Sequence, residues 1–115
     1  MPPLNDPEIR KKILDALSST EHGDGVKWTR PALANLHKDL PRLAHEKVNQ
    51  ILRKWVEKGN RINICVENRL EWKDKYTHHY DFTISIGGRK RYIECRLIDD
   101  ATNSSELFVV SFHDP

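Results

Sequence analysis

With 115 residues, 37% of them hydrophobic and 31% charged, and with 5 glycines and 6 prolines, the chain has the makeup of one globular domain. Collagenous, low-complexity and disordered classes are excluded. The formal charge of +2 is spread as 11 Lys/Arg against 8 Asp/Glu over residues 1–60 and 8 against 9 over residues 61–115, so no basic tail exists and any phosphate-binding surface must be assembled by folding.

In chain order, Asp6-Pro7-Glu8 reads as a helix start, and Ile9, Ile13, Ala16 and Leu17 recur at helical spacing behind it. Ser18 to Gly25 is turn chemistry. Val26-Lys27-Trp28 leads to Thr29, a cap for a second short helix carrying Leu33, Leu36 and Leu40 and interrupted by Pro41. A third helix, about Leu43 to Lys58, aligns Val48, Ile51, Leu52, Trp55 and Val56, with Gly59 as its left-handed stop.

After Gly59 the period changes to two. Arg61 to Val66 predicts a strand, Asn68 to His79 a loop or irregular helix, and Tyr80 to Ile86 a second strand ending in the hairpin signal Gly87-Gly88. Arg91 to Ile98 returns, Asp99 to Glu106 forms a loop, and Leu107 to His113 is the last strand. The expected fold is α+β in one domain spanning 1–115. Its helical half, about 6–60, supplies three helices packed on one face of a small antiparallel sheet formed by about 61–113.

With Phe82, Ile84, Ile93, Cys95, Phe108, Val110 and Phe112 assigned to the core, the other sheet face collects His79, Asp81, Glu94, Arg96 and His113. These residue types meet the needs of metal-independent RNA cleavage. His79 or Glu94 can take the proton from a ribose 2′-hydroxyl, Arg96 can fork onto phosphate oxygens, and His113 can protonate the departing 5′-oxygen. The same residues also read as a Glu94–Arg96 ion-pair ladder flanked by surface histidines. Among basic clusters, Lys73 with Lys75 and Arg89-Lys90-Arg91 are the candidate RNA contacts, although each also reads as a solvated turn.

Nucleophile-elbow, phosphate-loop and HExxH patterns are absent, which removes covalent and nucleotide-hydrolysing chemistries. Cys65 and Cys95 lie outside any CxxC or His/Cys cluster, and adjacent His78 and His79 point to opposite faces of a strand, so reduced thiols and no metal or other cofactor are expected. No apolar run approaches the ~20 residues of a membrane span, and no basic-then-apolar leader opens the chain. A cytoplasmic location without membrane contact is the expectation.

The segment Val26 to Leu33 (VKWTRPAL), with Val48, Ile51 and Leu52 behind it, and then Arg91 to Leu97 (RYIECRL) and Phe108 to His113 (FVVSFH), resembles small bacterial toxins of the MqsR and RelE type. The family's Gln-Asp-Val-Tyr segment reads His78-His79-Tyr80-Asp81 here. The resemblance implies helices on one side of a small sheet whose open side cuts messenger RNA, a cationic role for Arg96, an acid-base role for His113, RNA-gripping lysines at Lys73 and Lys75, and a cognate antitoxin as partner. Two other readings compete. A winged-helix DNA-binding module would place Asn49, Gln50, Arg53 and Lys54 on DNA with Arg89-Lys90-Arg91 as the wing tip, leaving Leu107 to His113 unexplained. A nonenzymatic interaction or immunity protein would reuse the toxin scaffold.

Overall fold

The computed structural model describes residues 2–19, 25–99 and 105–115. The first helix, α1 (Pro7–Leu17), starts where the Asp6 carboxylate accepts from the Glu8 amide at 2.9 Å, and it buries Ile13, Ala16 and Leu17. Val26–Trp28 is a strand, β1, where the sequence shows only a lead-in to a helix. Thr29 then caps α2 (Arg30–Asp39), its hydroxyl accepting from the Ala32 amide at 3.4 Å. The third helix, α3 (His45–Glu57), buries Val48, Asn49, Leu52 and Val56. Arg10 from α1 donates to the carbonyls of Val56 at 3.0 Å and Asn60 at 2.7 Å, tying α1 to the end of α3 and the turn that follows it.

Four strands follow: β2 (Asn63–Val66), β3 (His78–Ile86), β4 (Arg89–Asp99) and β5 (Ser105–His113). Gly87 and Gly88 form the two-residue connection between β3 and β4 with φ of 67° and 85°, left-handed values that a side chain would oppose. The five strands lie in the order β1-β5-β4-β3-β2. The C-terminal part is the antiparallel meander read from the sequence, but the sheet as a whole is mixed, because β1 pairs parallel to β5 in the register Val26↔Leu107 to Trp28↔Val109. The helices are therefore interspersed with a strand, which corrects the purely antiparallel expectation. A three-residue strand is too short to display a period, and its partner lies some eighty positions away.

The core lies between the helices and one sheet face. Ile13, Leu17, Leu36, Val48 and Leu52 meet Phe82, Ile93, Cys95, Leu107, Val109 and Phe112, all buried. A bulge at Glu94/Cys95 changes the phase of β5: Glu94 opposes Ser111 while Cys95 opposes Val109, leaving Val110 as the extra residue. Phe108 therefore pairs with Arg96 on the face away from the helices, correcting its assignment to the core alongside Phe112. Thr29 anchors this bulge, its amide donating to Val109 at 3.0 Å and its hydroxyl to the Val110 carbonyl at 3.4 Å. No helix among the described residues is long and apolar enough to cross a membrane. The expected loops Ser18 to Gly25 and Asp99 to Glu106 fall largely outside the described residues, at 20–24 and 100–104.

Candidate functional site

Strand pairing builds the polar face from neighbours. Cys65 opposes His79 across β2 and β3, Asp81 opposes both Asn63 and Glu94, Glu94 opposes Ser111, and Tyr92 opposes both Thr83 and His113. Residues directly opposite stand ~5 Å apart on one face, and a step of two along a strand returns to that face. His79, Asp81, Glu94 and Arg96 are thus brought together as expected, with His113 two positions along β5 from Ser111.

The face is roofed, which the sequence reading missed. Residues 67–77 fold back over it in a series of turns, and the loop closes on itself where the Glu67 amide donates to the Thr77 carbonyl at 2.9 Å. Beneath this roof Arg96 has no exposed surface. Its guanidinium forms an ion pair with Glu67 through Nε, reaches Glu94 Oε2 at 3.1 Å through Nη2, and lies 5.9 Å from the Trp72 ring centre. The expectation that Arg96 stands open to a phosphate is therefore corrected: it fastens the roof to the sheet. Arg69 on the roof is half-exposed and brings a second guanidinium to this cluster, with Nη2 at 3.5 Å from Glu94 Oε2. Nothing in the sequence distinguishes Arg69 from a solvated loop arginine.

At the centre of the remaining face, the buried Asp81 carboxylate is met from three sides. His79 Nδ1 lies 2.8 Å from Oδ1, Cys65 Sγ lies 3.4 Å from Oδ2, and the Tyr92 hydroxyl donates a short hydrogen bond to Oδ2. With Asp81 ionised, His79 carries its proton on Nδ1 and keeps the Nε2 lone pair as a proton acceptor. The Tyr92 ring then stacks against His113 with centroids 4.9 Å apart, and His113 Nδ1 is 2.6 Å from the Asp114 carbonyl, which leaves its Nε2 unengaged by that contact. His79 is mostly buried and His113 exposed. Asp81 and Tyr92, absent from the catalytic set read from the sequence, link the two histidines. The signal for Asp81 is the His79-x-Asp81 spacing, which on a strand puts both side chains on one face.

Burial and the Asp81 charge act on the neighbouring acids. Loss of solvent, reinforced by Asp81, pushes the Cys65 thiol from 9.0 up to about 11, and burial with the hydrogen bond to Asp81 raises the Tyr92 hydroxyl well above its usual range. Cys95, on the core face, is raised chiefly by burial. With a hundredfold less thiolate at pH 8, offset in part by the greater nucleophilicity of a more basic thiolate, Cys65 should react with iodoacetamide roughly tenfold more slowly than the same cysteine in urea. Mass-spectrometric timing of alkylation at this site checks the prediction, and equal rates would contradict it.

The remaining candidates divide by exposure. Lys73, Lys75, Arg89 and Lys90 are at the surface, and Lys75 also borders a cavity of about 460 Å³ with Lys12, Tyr76 and His78. Arg91 is buried, donating to Asp39 at 3.0 Å, Asp114 at 3.3 Å and the Ile86 carbonyl at 3.3 Å, with its guanidinium over the Phe112 ring. It ties α2 and the end of β5 to the hairpin, and its assignment as an RNA contact is corrected accordingly. Of the residues proposed to read DNA, Asn49 is buried and accepts from Trp28 Nε1 at 2.8 Å, and Arg53 is paired with Glu57 at 2.9 Å. Cys65, His79 and Asp81 each place one ligand-type atom within 4.8 Å of the others, so they could hold a metal ion. Comparison with family models, curated proteins and solved structures finds no match for the chain.

Proposed function

We propose that this chain is a ribonuclease of the small-toxin type that cleaves RNA by attack of the 2′-hydroxyl on the adjacent phosphorus. The supporting observation is the continuous run His79–Asp81–Tyr92–His113 across three adjacent strands on the face away from the helices. By register His113 opposes Tyr92 and Tyr92 opposes Thr83, four residues along β3 from His79, so the two histidines stand about 16 Å apart at the backbone and the run through Asp81 and Tyr92 spans that distance.

His79 takes the 2′-proton on Nε2 while Asp81 holds its Nδ1 proton and stabilises the imidazolium that forms. The 2′-oxygen bonds to phosphorus, the bond from phosphorus to the 5′-oxygen breaks, and protonated His113 gives that oxygen its proton. The products are a 2′,3′-cyclic phosphate and a 5′-hydroxyl. Arg69, beside Glu94 at the surface, is the cation placed to meet negative charge developing on the phosphate, and Lys73 and Lys75 on the roof supply attraction for the backbone. A cognate antitoxin that covers this face is part of the same proposal.

The direct test offers matched RNA and DNA oligonucleotides to the purified protein. RNA should be cut to cyclic-phosphate ends, and the all-deoxy strand should remain intact because it lacks the nucleophile. Cleavage of both strands, or of neither, would overturn the proposed reaction.

A further inference from the structure

We propose that Cys65, His79 and Asp81 form a binding site for a borderline-soft divalent cation, with Zn2+ as the fitting ion. The strand geometry supplies the donors: Cys65 directly opposes His79, and Asp81 follows His79 by two residues on the same face. One ligand atom from each residue already lies within 4.8 Å of the other two. Zinc–sulfur, zinc–nitrogen and zinc–oxygen bonds of about 2.0–2.3 Å place tetrahedral donors roughly 3.3–3.7 Å apart, so modest side-chain rotation closes the set around one ion. A thiolate, an imidazole and a carboxylate together favour zinc over calcium or magnesium, which take oxygen donors.

A second observation points to a cation. Under the roof and around this triad, three carboxylates, Glu67, Asp81 and Glu94, are buried, and among the described residues Arg96 is the buried cation there, paired with Glu67 and Glu94. Half-exposed Arg69 reaches Glu94, while the described contacts of Asp81 are with His79, Tyr92 and Cys65, not with a guanidinium or ammonium group. A buried carboxylate that meets no lysine or arginine among its described contacts attracts a positive ion. On binding, the metal–sulfur bond replaces the S–H bond and the proton passes to solvent, while Glu94 Oε1, 3.8 Å from His79 Nδ1, stands next to the remaining coordination position.

The site is independent of the ribonuclease reading, but the two meet at His79. An imidazole that binds zinc through one nitrogen and carries its proton on the other has no lone pair with which to accept a 2′-proton. Bound zinc therefore switches cleavage off.

The experiment titrates metal-stripped protein with Co2+ alone and then displaces it with Zn2+. One equivalent of Co2+ should produce thiolate-to-metal charge-transfer absorption and the intense visible bands of a tetrahedral site. Cys65→Ser should abolish the charge-transfer band and weaken Zn2+ binding at least tenfold, His79→Ala should weaken it similarly, and His78→Ala, which alters the opposite face, should leave it unchanged. Circular dichroism establishes that each variant is folded. An absent charge-transfer band, or unaltered affinity in folded Cys65→Ser and His79→Ala, would overturn the site. Metal binding through Cys65 in a chain that cuts no RNA would sustain this inference and overturn the ribonuclease reading. Undiminished cleavage in the zinc-loaded protein would overturn the switch.

Discussion

Replacing His79 by alanine should lower the rate of RNA cleavage by about 10²- to 10⁴-fold, the range associated with losing a general base or acid, while leaving the far-ultraviolet spectrum unchanged. His113→Ala should fall in the same range. The double variant should be little slower than the worse single one, because residues that serve one reaction as a unit are far from additive. Asp81→Asn separates orientation from proton transfer. The amide still occupies the space but offers no charge to the imidazolium and can present its NH2 to Nδ1, which favours the wrong tautomer; a fall of about tenfold or more is expected. Single-turnover cleavage of a fluorescent oligonucleotide measures each variant, and retention of full rate by His79→Ala would end the proposed role for the sheet face.

Arg96→Met should be the most destabilising of the substitutions considered. The methionine fills most of the volume but leaves Glu67 and Glu94 buried without the guanidinium between them, and breaking a buried ion pair this way costs about 3–5 kcal/mol. Against a typical total of about 5–15 kcal/mol for a domain, that is enough to move a urea midpoint far toward zero or to unfold the chain. The cause can be separated from simple loss of packing. Adding Glu67→Leu and Glu94→Leu removes the stranded charges, and the triple variant should recover most of the lost stability. Proteolysis within residues 67–77 should accelerate in Arg96→Met, since the roof loses its main fastening. A triple variant no more stable than the single one would show that the ion cluster is not what holds this region.

The readily legible parts of the fold were those with local cause. Alternation in Tyr80 to Ile86, two glycines able to take left-handed backbone, and an in-phase return strand describe the β3–β4 hairpin within about twenty residues. Asp6 and Thr29 as caps and Gly59 as a stop are equally local. What escaped the reading depends on distant pairing or on burial. β1 exists because β5 offers a free edge, and the bulge at Val110 cannot be seen from a period-two extrapolation that has no reason to skip a residue. The polar set His79, Asp81, Glu94 and Arg96 was legible as a shared face, but its burial was not. Residues 67–77 have no period, and their role as a cover comes from Glu67 and Trp72 meeting Arg96, contacts separated by more than twenty positions. The opposite error occurred at Arg91 and Asn49, polar residues assigned to ligands and instead used to join elements of the fold.

Joining β1 to β5 also sets an order in time. During synthesis the helices, the first strand and the β3–β4 hairpin emerge before the strand that must be inserted between β1 and β4, so the sheet stays divided and His113 is missing until translation has passed it. Folding that waits on such a distant partner is slow compared with local pairing. On the ribonuclease reading proposed above, this delay would keep the nascent chain harmless to the message and ribosome producing it.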